Sequence, residues 1–166
     1  MHEASYIVPF DPLNADDSRE LIYRSAAALM QGEQDLIANC ANLASLVYHS
    51  MPNISWCGWY LLQYNDLVLG PFAGKPACTR IRMGRGVCGT AAKERRTIVV
   101  DDVTAFEGHI ACDPDTRSEL VVPLAAGNSF LGVFDLDSDV PSRFTQSDVA
   151  FIESLCRLLL ASSRYD

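Results

Sequence analysis

The sequence lacks several features that would assign a function at once. Its six cysteines include no Cys-x-x-Cys pair, and no cysteine–histidine cluster has zinc spacing. Structural zinc is therefore not expected, and no metal or resident cofactor is implied. There is no basic surplus: 13 Lys and Arg against 21 Asp and Glu leave a net charge of −8, the wrong footprint for nucleic acid or an anionic membrane. No apolar run reaches the roughly 18 residues of a spanning helix. The opening MHEASYIVPFDPLNADD has no basic start, apolar centre or small-residue cleavage site. These absences make a cytoplasmic location the expectation. In a reducing compartment an even number of thiols is no argument for three structural disulfides.

What is present describes one globular domain over residues 1–166. With 49% hydrophobic and 20% charged residues, the chain can bury roughly two thirds of its unfolded surface. Residues 1–15 carry two prolines and read as an extended arm. Asp16 to Met30 starts acidic, turns Ala- and Leu-rich, and predicts a helix ending near Gly32. A second helix begins at about Glu33 with Cys40 on its apolar stripe, and ends by Pro52. Ile54 to Leu62 reads as a strand, answered after an Asn65-Asp66 turn by Leu67 to Pro71. Residues 72–85 read as irregular, Gly86 to Arg96 as a short helix and Thr97 to Val103 as a strand. A long connection over 104–118 precedes two strands, Leu120 to Leu124 and Phe130 to Asp137, joined at Gly127-Asn128. Thr145-Gln-Ser-Asp148 resembles a capping box and opens a helix to about Ser162 that contains Cys156. The order predicts an α+β domain with a largely antiparallel sheet flanked by N-terminal helices and a C-terminal helix.

One motif misleads. Gly84-Arg-Gly86-Val-Cys-Gly89 matches G-x-G-x-x-G, yet Arg80-Ile-Arg-Met83 is no buried strand and only a short helix fits before Thr97. The dinucleotide site that this motif marks elsewhere needs both, so the glycines are assigned to a turn and a close backbone approach.

The chemistry concentrates between Cys78 and Asp137, where Cys78, Cys88 and Cys112 are followed by Glu119, Asp135 and Asp137. Asp135 and Asp137 share a strand face about 6.6 Å apart along the chain, opposite Phe134 and Leu136. They belong either to the wet side of an edge strand or to a cavity, where crowding with Glu119 would leave one carboxyl protonated near neutrality. In the same way Trp56, Gly58 and Tyr60 share a face of the first strand, with Cys57, an inert thiol, opposite. Core packing and a two-walled aromatic slot both fit that pattern. Thiols, a proton donor and an apolar slot together suit sulfoxide reduction. A thiolate attacks the protonated sulfoxide, releases the thioether and becomes a sulfenic acid. A second thiol condenses with it to a disulfide, which an external dithiol resets.

The hairpin WCGWYLL, the spacing of Cys78, Cys88 and Cys112, the segment ACDPDTRSELVVPL and the close GVFDLDS resemble the free methionine-(R)-sulfoxide reductases. These are single GAF domains acting on the free amino acid. The resemblance implies a GAF-like fold and reduction of free L-methionine (R)-S-oxide. It assigns Cys112 as nucleophile, Cys78 as resolving thiol and Cys88 as a third thiol sharing that role. It implies Trp56 and Tyr60 as walls around the substrate methyl. Glu119, Asp135 and Asp137 would bind the ammonium and protonate the sulfoxide oxygen. Thioredoxin is the implied external reductant and a homodimer the implied assembly. Asp113 and Asp115 are expected to raise the Cys112 pKa. His109 and Arg117 are the available cations, and the 109–115 backbone the expected holder of the substrate carboxylate. Against this stand a GAF module that only binds a small ligand and a thiol redox sensor without substrate.

Overall fold

A computed structural model describes residues 6–110 and 112–165. Its centre is an antiparallel sheet of β1 (Trp56–Gln63), β2 (Asp66–Ala73), β3 (Arg80–Arg82), β4 (Ile98–Val100), β5 (Ser118–Ala126) and β6 (Ser129–Ser138), in the spatial order β3-β2-β1-β6-β5-β4. Helices α1 (Ala15–Leu29), α2 (Leu36–Ser50) and α4 (Gln146–Ser162) cover one face, and α3 (Gly86–Glu94) packs on the other.

Period-two alternation in the central strands creates two cores, because each face of the sheet is covered. Cys57 and Trp59 of β1, Leu120 and Val122 of β5, and Phe134 and Leu136 of β6 join the helices α1, α2 and α4. Trp59 stacks on Phe134 with ring centroids 4.0 Å apart, and its indole N–H donates to the Cys40 carbonyl at 3.0 Å. Cys40, Cys57 and Cys156 are small apolar members of this core. Trp56 and Tyr60 of β1, Val121 of β5 and Val133 of β6 face the other way, toward α3.

Local signals place the helix ends. Asp35 caps α2 by accepting from the Ala38 N–H, and Thr145 and Asp148 form the reciprocal capping box of α4. Several boundaries differ from the sequence expectation. Residues 12–14 form a 3-10 turn and α1 starts at Ala15, so the arm is shorter than expected; its residues 1–5 lie outside the described residues. The irregular 72–85 segment holds β3, a three-residue edge strand whose pairing to β2 is supplied by tertiary contact. The strand expected over 97–103 contracts to Ile98–Val100, and Val103–Ala105 becomes a 3-10 turn behind the Asp102 cap. The first hairpin turns at Tyr64-Asn65, with Tyr64 left-handed at φ 58°.

One topological result decides the acids' surroundings. β6 lies between β1 and β5 in the middle of the sheet, so Asp135 and Asp137 are on no edge. They project toward the α3 side.

Candidate active site

Sheet register assembles the floor of the site. Asp137 pairs with Trp56 on one side and Glu119 on the other, giving a row Trp56–Asp137–Glu119 across three strands. Asp135, two residues back, lies between Gly58 and Val121. Gly58 is required here, although not as an open slot. A Cβ at that position would collide with the Phe72 side chain and the Trp56 ring. Its absence lets Trp56 lie against the sheet between Phe72 and Tyr60, with ring centroids 5.5 Å and 5.9 Å away.

The roof comes from two loops and α3. Cys78 follows β2, Cys112 precedes β5, and the two are disulfide-bonded with Cα atoms 5.5 Å apart across 34 residues. The Tyr60 hydroxyl donates to the Cys78 carbonyl at 2.9 Å, and the Trp56 indole N–H to the Lys75 carbonyl at 3.0 Å. Both aromatic walls therefore also anchor the Cys78 loop. Lys75 reaches across to Asp113 at 3.0 Å and Asp115 at 2.9 Å, tying that loop to the one carrying Cys112. Gly86, at φ 61°, opens α3 where a Cβ would press on Ile110 of the same loop at 3.2 Å. Between floor and roof is a small cavity of about 40 Å³ that opens to solvent, lined by Trp56, Tyr60, Cys88, Cys112, Glu119, Asp135 and Asp137 among others.

The electrostatics follow from burial. Glu119 and Asp135 are almost fully buried and Asp137 is half-buried at the side-chain surface. Desolvation pushes all three carboxyls well above the usual carboxylate range. The neighbouring charge of Asp137 on Glu119, Glu119 on Asp135 and Asp135 on Asp137 adds to it. Burial likewise raises the Cys88 thiol, whose sulfur donates to Glu119 Oε1 at 3.8 Å. His109 Nε2 lies 3.6 Å from Glu119 Oε2, and burial pushes that imidazole below its ordinary value. The site is thus a neutral-leaning, proton-rich pocket with sulfur at two points.

The thiols, aromatic residues and carboxyls that the resemblance assigns to the site meet here. Cys112, Cys88, Trp56, Tyr60, Glu119, Asp135 and Asp137 line the cavity, and Cys78 joins it through its bond to Cys112. Of the two cations considered, His109 lines the cavity, whereas Arg117 is not among its walls and gives its N–H to the Ser138 carbonyl. Asp113 and Asp115 both pair with the Lys75 ammonium, which offsets part of their charge, while Asp113 still lines the cavity beside Cys112. The backbone N–H groups of His109, Cys112 and Asp115 are engaged inside their own loop, which leaves fewer of them for a carboxylate than expected. Sequence reasoning missed Lys75 and Arg85, both on the cavity wall. For Lys75 one signal was available: it is the lone charge between Leu67 and Thr79, and the acids that it meets flank the nucleophile candidate.

Comparison with known proteins places the chain among relatives of the same fold. The GAF domain model matches residues 22–161. A free methionine-R-sulfoxide reductase of Escherichia coli is 46% identical over 145 residues, covering 86% of this chain and 88% of that protein. One of Saccharomyces cerevisiae is 39% identical over 166 residues, with 95% and 92% covered. The X-ray structure of free methionine-R-sulfoxide reductase from Neisseria meningitidis in complex with its substrate superposes with a TM-score of 0.88 at 35% identity, covering 95% of each chain.

Proposed function

This chain belongs to the GAF-domain free methionine-R-sulfoxide reductases, and from that premise we propose that it reduces free L-methionine (R)-S-oxide to methionine, with Cys112 as nucleophile. The observation that carries the reading is that Cys112, bonded to Cys78, walls the same cavity as Trp56, Tyr60 and the three buried carboxyls.

The reaction then runs as follows. The substrate methyl sits against Trp56 and Tyr60, and its ammonium is drawn to the carboxyl row. A protonated member of Glu119, Asp135 and Asp137 gives its proton to the sulfoxide oxygen, making sulfur electrophilic. The Cys112 thiolate attacks that sulfur, the protonated oxygen passes to the Cys112 sulfur as both the sulfoxide S–O bond and the transient S–S bond break, and methionine leaves as the thioether with Cys112 as sulfenic acid. The Cys78 thiol displaces water from the sulfenic acid and forms the disulfide, the state represented in the structure. Both sulfurs belong to half-buried residues near the cavity mouth, within reach of an external dithiol such as thioredoxin, which supplies the two electrons that reset the enzyme. Cys88 is a buried free thiol 3.8 Å from Glu119, so Cys78 takes the resolving role in the first instance.

Thioredoxin-coupled turnover tests the proposal, with NADPH oxidation followed in the presence of thioredoxin reductase. Consumption is expected with the free (R)-sulfoxide and not with the (S) form, and none with Cys112→Ser. Cys78→Ser is expected to release one methionine per chain and then stall. Full coupled turnover by Cys112→Ser would overturn the assignment.

A further inference from the structure

The cycle above passes electrons between Cys112 and Cys78 and leaves Cys88 as a free, buried thiol. Cys88 on α3, Glu119 on β5 and Asp135 on β6 come from three separate elements, yet a sulfur and two carboxylate oxygens from them lie within 4.8 Å of one another. Asp135 lines the cavity and is 5% exposed; its carboxyl leans on Cys88 and Glu119, yet its Oδ1 has no hydrogen-bond partner among the described residues. A buried oxygen without a donor is costly, and a shared proton, a water or a cation would each satisfy it.

We propose that Cys88 Sγ, Glu119 and Asp135 form a binding site for a thiophilic divalent cation, with Zn²⁺ as its occupant. One edge of the site is already close to that needed, while the three donor atoms as a set lie within 4.8 Å and would draw together on binding. Zinc with sulfur at about 2.3 Å and oxygen at about 2.1 Å sets a tetrahedral S···O edge near 3.6 Å. The Cys88 Sγ–Glu119 Oε1 separation is 3.8 Å. His109 Nε2 stands 3.6 Å from the other Glu119 oxygen, just beyond hydrogen-bond length, so a small approach of the ring would let it orient the ligating carboxylate. The fourth position opens into the cavity and takes water. Donor type selects the metal: calcium asks for about six to eight oxygens, which three side chains do not supply, whereas a thiolate favours zinc. On binding, Cys88 exchanges its proton for the metal and no electrons move. A cation held there occupies the ground to which the substrate ammonium is drawn, so it would block the reductase; this consequence alone rests on the functional reading above.

Cobalt(II) is the probe, titrated into the full chain in its Cys78–Cys112 oxidised form, where Cys88 is the thiol of the cavity. A near-ultraviolet thiolate-to-cobalt charge-transfer band is expected at one equivalent per chain, erased by added Zn²⁺. Cys88→Ser should abolish the band, Asp135→Asn should weaken binding by about tenfold or more, and Cys156→Ser, in the opposite core, should leave it intact. No band at millimolar cobalt, or a band that survives Cys88→Ser, overturns the site whatever the catalytic activity. A band on a protein that reduces no sulfoxide upholds the site and overturns only the functional reading.

Discussion

Asp137 joins an aromatic wall to the acid cluster, because its strand register sets Trp56 on one side and Glu119 on the other. Desolvation is unfavourable for a charged carboxylate, and the neighbouring Asp135 adds repulsion, so the residue is poorly suited to stabilising the fold. Asp137→Asn keeps the shape and removes the ionisable proton. Its kcat/KM with the free (R)-sulfoxide is expected to fall about a hundredfold or more, while Tm holds or rises. Unchanged kinetics with a lowered Tm would assign Asp137 to folding instead. The shared face of Asp135 and Asp137 was legible in the alternation of β6. Its burial was not, because the flanking of β6 by β1 and β5 is decided by pairing between residues 56–63, 118–126 and 129–138. For the same reason the letters left Trp56, Gly58 and Tyr60 open between core and pocket. The structure gives Trp56 and Tyr60 both roles, with Gly58 making room for the Trp56 ring instead of leaving a vacancy.

Among the elements, the two loops carrying Cys78 and Cys112 have little regular structure of their own, and Lys75 links them through Asp113 and Asp115. Lys75→Met should slow closure of the disulfide after one equivalent of substrate by about threefold at low salt, and by less at high salt, since exposed ion pairs are weak and screened. Rapid quenching with an alkylating agent measures that rate; an unchanged rate at low salt would remove the tether from the account. At the other end of the chain, Asp148 anchors α4. It accepts from the Thr145 backbone and hydroxyl and is paired with Arg19 and Arg143 at 3.0 Å and 2.9 Å. Burial alone would raise its pKa, but these partners outweigh it and hold the carboxyl below its ordinary value. A lowered folded-state pKa contributes stability that is present above the unfolded value of about 3.9 and is lost as pH falls through the folded one. Asp148→Ala should cost about 3 kcal/mol at neutral pH, with the difference from the parent shrinking in acid; denaturant melts at two pH values read both. The capping box was visible in Thr145-Gln-Ser-Asp148 because it is local. Arg19, which reaches Asp148 from the first helix, was not, and neither was the edge strand β3, whose pairing with β2 is set by tertiary contact.

On the scale of the whole molecule, one sheet separates two tasks. Helices α1, α2 and α4 and the thiols Cys40, Cys57 and Cys156 form the core on one face, while the other face holds the cavity with Cys88, Cys112 and the carboxyls. No helix among the described residues is long and apolar enough to cross a membrane. The account depends on the Cys112 sulfur and the acid row acting on one substrate in one hollow. A single-turnover experiment addresses this most directly: reduced protein is mixed with one equivalent of free methionine sulfoxide of either configuration, quenched by alkylation and mapped by mass spectrometry. Methionine and the Cys78–Cys112 disulfide are expected in equal amounts from the (R) form, with all thiols retained after the (S) form. Methionine appearing while Cys112 remains alkylatable would contradict the account.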